Sequence, residues 1–290
     1  MEIKLESGFK FAIVSSKRIL LVESEKIDIT IKFIGKEKIS SIELNRLQGY
    51  KLADVSFLTE VGELIEEITI IDDTINLDEL RNVKNLKKIY IGGSNTSTIN
   101  FEWFKYLESC NIFWHSKLSS LSHCKNLKEL VLRKYVYNAK TLNFISGLSS
   151  LKRLTLIQNK FSDLQMLKCF SHLEELEISY NRDLKEISEI RDGAKSLVKL
   201  RIENCKNIVD YTAIGNLKEL KYLAISSSAD IKSLGFIRNL KNLEYLSFVG
   251  TNVLDGDLSV CIGLNYVAFD NKKHFSHTYE TMKSLTSERI

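Results

Sequence analysis

The sequence predicts an α/β solenoid, a right-handed horseshoe with a parallel β-sheet on its concave side, short helical or 3-10 return segments behind the sheet, and a β cap at the N-terminus. Three observations predict it. First, one nine-residue phrase is written three times: Leu151-Lys-Arg-Leu154-Thr-Leu156-Ile-Gln-Asn159, Leu173-Glu-Glu-Leu176-Glu-Ile178-Ser-Tyr-Asn181 and Leu197-Val-Lys-Leu200-Arg-Ile202-Glu-Asn-Cys205, with starts 22 and 24 residues apart. Second, the phase extends in both directions to eleven starts, at Ile39, Ile65, Leu86, Leu107, Leu127, Leu151, Leu173, Leu197, Leu220, Leu243 and Leu264. Third, the stretches between the phrases carry apolar residues three apart, as in Phe161, Leu164 and Leu167 or Ile231, Leu234, Ile237 and Leu240, which suits a 3-10 turn or short helix. Recurrence at a fixed period of this size is the mark of stacked coils, each burying its apolar face against its neighbours.

The phrase L-x-x-L-x-L-x-x-N/C resembles that of leucine-rich repeats. Spacings of 20 to 24 residues from Ile65 onward, with short internally similar returns, resemble the bacterial internalin-like kind, although the Pro usual in those repeats is absent. The resemblance covers residues 39–272. It implies that the paired leucines of each strand point into the core and that the residues between them form a binding face. At the ninth position the resemblance implies an Asn that bonds backbone groups of adjacent turns. Only Asn159 and Asn181 fulfil this; Asp73, Ser94, His115, Tyr135, Cys205, Ser228, Thr251 and Lys272 stand at the others, so the outer coils are expected to be irregular.

Taken in order, residues 1–38 do not fit the repeat. Phe9, Phe11 and Ile13, then Ile19 and Leu21, then Ile27, Ile29, Ile31 and Phe33 alternate at period two and predict half-buried strands, with a turn at Ser15-Ser16-Lys17. An atypical first unit is physically required, because a solenoid would otherwise leave one apolar end bare. Eleven repeat strands follow over 39–272, and Lys-Asn-Leu recurs from Lys84, Lys125 and Lys241 where a return ends and a phrase begins. The pattern stops in a tail, 273–290, in which Tyr279-Glu-Thr-Met-Lys-Ser-Leu has the spacing of a short amphipathic helix covering the last coil.

Composition excludes several function classes. A net charge of +4 from 41 basic and 37 acidic residues interspersed along the chain gives no case for nucleic acid. No 18-residue apolar run predicts a membrane span, and charges at Glu2, Lys4, Glu6 and Lys10 break up any export segment, so a cytoplasmic location is expected. Five cysteines, an odd number without pairing pattern, predict free, mostly buried thiols in a reducing compartment. No catalytic motif is present. Cys169-Phe-Ser-His172 reads as the end of a return, and His274-Phe-Ser-His277 offers two metal ligands at most; no cofactor is expected.

Candidate binding residues are therefore sought between the leucines. Tyr222, Tyr245 and Tyr266 share one column on successive coils, either as a stacking ladder or as an aromatic strip for a partner. Arg153 and Glu175 belong to an alternation Glu129, Arg153, Glu175, Lys199, most of it pairing within the sheet. Tyr90, Phe113 and Trp114, joined by Arg133, place large rings at or near concave positions, and Tyr180 at the end of the second central phrase completes the set. The expected function is non-enzymatic binding of a protein partner on the concave face, by a chain that is a monomer when unbound. Its concrete form is a bacterial protein that neutralises a toxin, as an immunity protein does, or regulates an enzyme. Two rivals stand beside it: a self-assembling structural subunit, and a small-molecule or metal-dependent enzyme using the His274/His277 region. Replacing Trp114 and Tyr245 by Ala is expected to abolish partner binding without changing the melting temperature.

Overall fold

The structure is a computed structural model that describes residues 2–93, 95–138 and 141–286; Ser94 and the tail beyond Thr286 lie outside the described residues. The chain forms two compact units, one of Met1–Val131 with Asn143–Leu148, the other of Leu132–Leu142 with Ser149–Ile290.

In the first unit, β1 (Glu2–Glu6), β2 (Phe9–Val14) and β3 (Lys17–Leu21) make an antiparallel meander. Ser15 and Ser16 turn it at φ 47° and 68°, the left-handed pair of a two-residue hairpin loop. Parallel strands follow, β4 (Ser41–Asn45), β5 (Glu67–Ile71), β6 (Lys88–Ile91) and β8 (Ser109–Phe113), in the sheet order β1-β2-β3-β4-β5-β6-β8. Between returns, β7 (Ile99–Asn100) and β9 (Leu118–Ser119) form a separate two-residue pair, and β10 (Glu129–Arg133) crosses the boundary between units.

One N-terminal expectation is corrected. Ile27, Ile29, Ile31 and Phe33 do not lie on a strand; residues Ile27–Glu37 are an α-helix. The same segment also spaces Ile27, Thr30 and Ile34 at helical intervals, and Thr30 and Ile34 are the residues it buries. Phe33 stacks on Phe9 with centroids 4.0 Å apart and meets Phe11 edge-on at 6.3 Å, so the helix covers the hairpin, while Ile29 stays 54% exposed. Lys38 ends it in the left-handed region at φ 54°, with the Ile39 N–H donating to the Ile34 carbonyl at 3.1 Å.

The second unit holds β11 (Arg153–Ile157), β12 (Glu175–Ser179), β13 (Lys199–Glu203), β14 (Tyr222–Ser226), β15 (Tyr245–Ser247) and β16 (Tyr266–Ala268), all parallel and in sequence order. Register is fixed by the core: Leu154, Leu176, Leu200, Leu223, Leu246 and Val267 pair in one row, each at most 4% exposed. A one-residue slip would turn the whole row to solvent, at roughly 2 kcal/mol per leucine. The returns include 3-10 turns at Gln165–Cys169, Thr212–Asn216 and Gly235–Asn239 and an α-helical turn at Ile190–Gly193, stacked so closely that a Cβ on Gly215 would lie 2.9 Å from the Phe236 carbonyl oxygen. Residues Tyr279–Leu285 form a helix that buries Met282.

Within the second unit, several ninth positions share a bonding role although their residue types differ. Asn159 accepts from the Tyr135 N–H at 2.6 Å and donates to the Leu132 carbonyl at 3.3 Å. Where Asn is absent, Ser228 accepts from the Cys205 N–H at 3.2 Å and Thr251 accepts from the Ser228 N–H at 3.0 Å. All of these side chains are buried. A hydroxyl can accept in place of the amide oxygen, so the ladder continues with different chemistry. The Lys-Asn-Leu recurrence ties the start of three strands to the coil before: Asn85, Asn126 and Asn242 donate to the carbonyls of Glu63, Lys105 and Lys218 at 2.8, 3.0 and 2.9 Å.

In the first unit, the loop after β5 is tied by Asp72, whose side chain is 5% exposed. Burial works to raise its pKa, but the Thr74 hydroxyl and N–H and the Arg46 guanidinium, all within 2.7 Å, outweigh it and hold the carboxyl at about 2. Because the folded value lies below the unfolded one near 3.9, the stabilisation is present above about pH 4 and is lost as pH falls through about 2. Asp72→Asn is expected to cost about 1–2 kcal/mol at neutral pH, with the difference from the parent vanishing near pH 2, read from urea midpoints at each pH.

Candidate functional site

On the first unit, the open face of the sheet carries the register Thr69, Tyr90, Asn111. Tyr90 is half-buried, with its ring folded over the next glycine: a Cβ on Gly92 would lie 3.0 Å from Tyr90 Cε1. Phe113 ends β8 and Trp114 follows it, both half-buried. Charges on this face satisfy one another, since Glu67 is paired with both Lys17 and Lys88.

The remaining candidates, Arg133, Arg153, Glu175, Tyr180, Tyr222, Tyr245 and Tyr266, lie in the second unit. Arg153 pairs in register with Glu175, and Glu175 with Lys199, whose ammonium is 3.4 Å from its carboxylate. With Glu177 and Arg201 they line a dimple of about 60 Å³, too small for more than a water or two. Both members of the Glu175–Lys199 pair are 40% exposed, so it contributes about 0–1 kcal/mol and its charges are largely spent on each other.

The tyrosine column is a stack. Tyr222 and Tyr245 lie with centroids 4.1 Å apart and planes within 7°, Tyr245 and Tyr266 at 4.6 Å and 6°. Arg201 Nη2 donates to the Tyr222 hydroxyl at 3.1 Å, and the Lys199 ammonium lies 5.6 Å from the Tyr222 ring centre. Burial, followed by the neighbouring Tyr222 hydroxyl, pushes the Tyr245 phenol up to about 12. Because the rings face each other, the column presents edges and hydroxyls to solvent. Tyr245 touches a ring on each side, which corrects the expectation that Tyr245→Ala leaves stability unchanged. That substitution is expected to cost about 2–3 kcal/mol, two stacking pairs plus the half-buried ring, whereas Tyr266→Ala at the end of the stack costs about 1, both read from denaturant midpoints.

A different region of the second unit combines exposure, space and unspent charge. After each of its central strands, the eighth residue of the phrase is left-handed: Gln158, Tyr180, Asn204 and Ser227 have φ of 56°, 58°, 53° and 48°. The fold imposes this, because each of these N–H groups donates to the seventh-position carbonyl of the following coil, Tyr180 to Glu203 at 2.9 Å and Asn204 to Ser226 at 3.1 Å. Gln158, Tyr180 and Asn204, with the tenth residues Lys160, Arg182 and Lys206 and with Asn159 and Asp183, line a groove of about 530 Å³. Tyr180 is 51% exposed over it. Lys160, Arg182 and Lys206 are exposed, and no ion pair among the described residues engages them. Tyr180 was within reach of sequence analysis; the cations were not singled out, although a basic residue directly after the ninth position in each of the three central phrases was the available signal.

The thiols are largely buried, and three of the histidines are hydrogen-bonded locally. Burial pushes the Cys205 thiol up to about 11 and those of Cys124 and Cys261 up to about 12, and it also raises half-buried Cys169. His172 Nδ1 shares a hydrogen bond with the Ser171 hydroxyl. His274 Nε2 is bonded to the Val253 carbonyl at 3.0 Å and His277 Nδ1 to the Ser276 hydroxyl at 2.8 Å. Among the described residues no group of three His, Cys, Asp or Glu side chains is placed to hold a metal, and no helix is long and apolar enough to cross a membrane.

No protein-family model matches the sequence, and no curated protein matches it. Solved structures do. The internalin InlF of Listeria monocytogenes matches with a TM-score of 0.58 at 15% identity, over 86% of this chain and 72% of its own. Internalin C2 of the same organism matches at 0.51 and 16% identity, over 66% of this chain and 84% of that one. A chain of the mouse RP105/MD-1 complex matches at 0.52 and 16% identity, over 74% of this chain but only 43% of its own length. These likenesses establish the fold as the leucine-rich-repeat stack of the internalin kind.

Proposed function

We propose that this protein is a non-enzymatic binding module whose second unit receives a protein partner at the groove beside Tyr180. The observation that carries the reading is Tyr180 itself. A bulky residue in the left-handed region costs about 1 kcal/mol where Gly or Asn would cost little, and at 51% exposure the ring recovers only part of its burial energy. A residue that opposes local stability without serving the core fits a contact role, and half-exposed tyrosine is a common interface anchor. Support also comes from fold relatives, one of which is solved in a complex. Within this reading the chain is a cytoplasmic monomer until it meets its partner. The partner is a toxin that it neutralises or an enzyme that it regulates.

The test is isolation of the tagged protein from its native host with complexes intact, followed by mass spectrometry and a repeat with Tyr180→Asn. One stoichiometric protein, lost in the variant, is the expected result. Self-association of the purified chain in light scattering with nothing else bound would favour the structural-subunit rival, and stoichiometric metal in the purified protein would favour the enzyme.

A further inference from the structure

Resting on the reading of the groove as a protein-binding site, we infer that its occupant is an acidic, extended segment of the partner, laid across the coils so that its carboxylates meet Lys160, Arg182 and Lys206. These three residues occupy the same position on three successive coils, 22 and 24 residues apart in sequence. Neighbouring strands are about 5 Å apart, so the row spans about 10 Å; same-side residues of an extended chain recur every 6.5–7 Å, and flexible Lys and Arg stems take up the difference. Two cations beside the strands are spent on neighbours: Lys152 holds Glu174 at 2.7 Å and Lys199 holds Glu175 at 3.4 Å. In the groove three cations face one carboxylate, Asp183.

The rest of the lining selects a peptide. Gln158 and Asn204 flank Tyr180 on either side, and a side-chain amide offers the donor and acceptor that a main-chain peptide group needs. The Tyr180 ring supplies an apolar surface between them. A nucleic acid strand fits less well, because Asp183 would face its phosphates and the cationic row stops after three coils: the corresponding residues on either side are Val136 and Ala229.

The native protein is titrated with a labelled short peptide of alternating Glu and Ser, with the Lys and Ser peptide of equal length, and with a short single-stranded oligothymidylate. The acidic peptide alone is expected to bind. Its affinity should fall at least about tenfold in the combined variant Lys160→Glu, Arg182→Glu, Lys206→Glu, whose exposed positions leave the circular dichroism spectrum unchanged. Absence of acidic-peptide binding, undiminished binding to the variant, or tighter binding of the oligonucleotide would each overturn the inference, the last in favour of nucleic acid. The native partner separates this failure from that of the underlying reading. A partner lost with Tyr180→Asn but retained by the charge-reversed variant leaves the binding module standing and removes the acidic segment. A protein that holds no partner in either form removes both.

Discussion

Asn159→Ala is expected to lower the stability of the second unit by about 3 kcal/mol. The substitution removes an acceptor 2.6 Å from the Tyr135 N–H and a donor to the Leu132 carbonyl, at a site only 3% exposed. Two backbone groups are left without partners where water does not reach, each costing about 1–3 kcal/mol. Surface pairs such as Lys152–Glu174 contribute a fraction of that. Hydrogen exchange at the Tyr135 amide is the direct readout, with protection expected to fall about a hundredfold for a loss of this size. Asn159→Thr should recover about half, because Thr251 accepts a backbone N–H at the same place in its own coil. Loss of less than about 0.5 kcal/mol in Asn159→Ala would mean that the ladder follows from the coil geometry and does not sustain it.

Tyr180→Asn is expected to separate binding from stability. Relief of the left-handed strain leaves the unfolding midpoint unchanged or raises stability by up to about 1 kcal/mol, while removal of an anchoring ring costs at least about 2 kcal/mol of partner affinity, close to thirtyfold. Asn204 already holds the equivalent position at φ 53°, so the variant residue suits the backbone. Fluorescence or calorimetric titration with the isolated partner, beside a urea melt, measures both quantities. Destabilisation together with lost binding would identify the Tyr180 ring as part of the packing.

The coils were legible in the sequence because core burial constrains residue type and spacing together. Leu154, Leu176 and Leu200 recur in phase since each must fill the same place beside the last, and they pair in register as their spacing implies. Part of the ninth-position regularity was hidden, because Cys205, Ser228 and Thr251 share with Asn159 a side-chain bond to the preceding coil without sharing its name. The N-terminal helix was misread for a different reason: Ile27, Ile29, Ile31 and Phe33 satisfy period two, while Thr30 and Ile34, which the helix buries, satisfy its own period less conspicuously. The site was the least legible part. Aromatic residues in one column were a visible signal, but Tyr222, Tyr245 and Tyr266 spend much of their surface on one another. The recurrence of Lys160, Arg182 and Lys206 directly after the ninth position was visible, but that their charge is unspent can be recognised only once the pairing of the other charges is known.

The direction of the bonds that hold the left-handed loops also orders events in time. Gln158 donates to Ser179, Tyr180 to Glu203, Asn204 to Ser226 and Ser227 to Val249, always from an earlier coil to a later one. A nascent chain leaving the ribosome therefore cannot close a loop with the residues it has already delivered. The turn bearing Tyr180 waits for Glu203, and the one bearing Asn204 waits for Ser226. The groove would mature one coil behind synthesis, and a chain released before Ser226 would carry the complete row of cations on an unfinished rim.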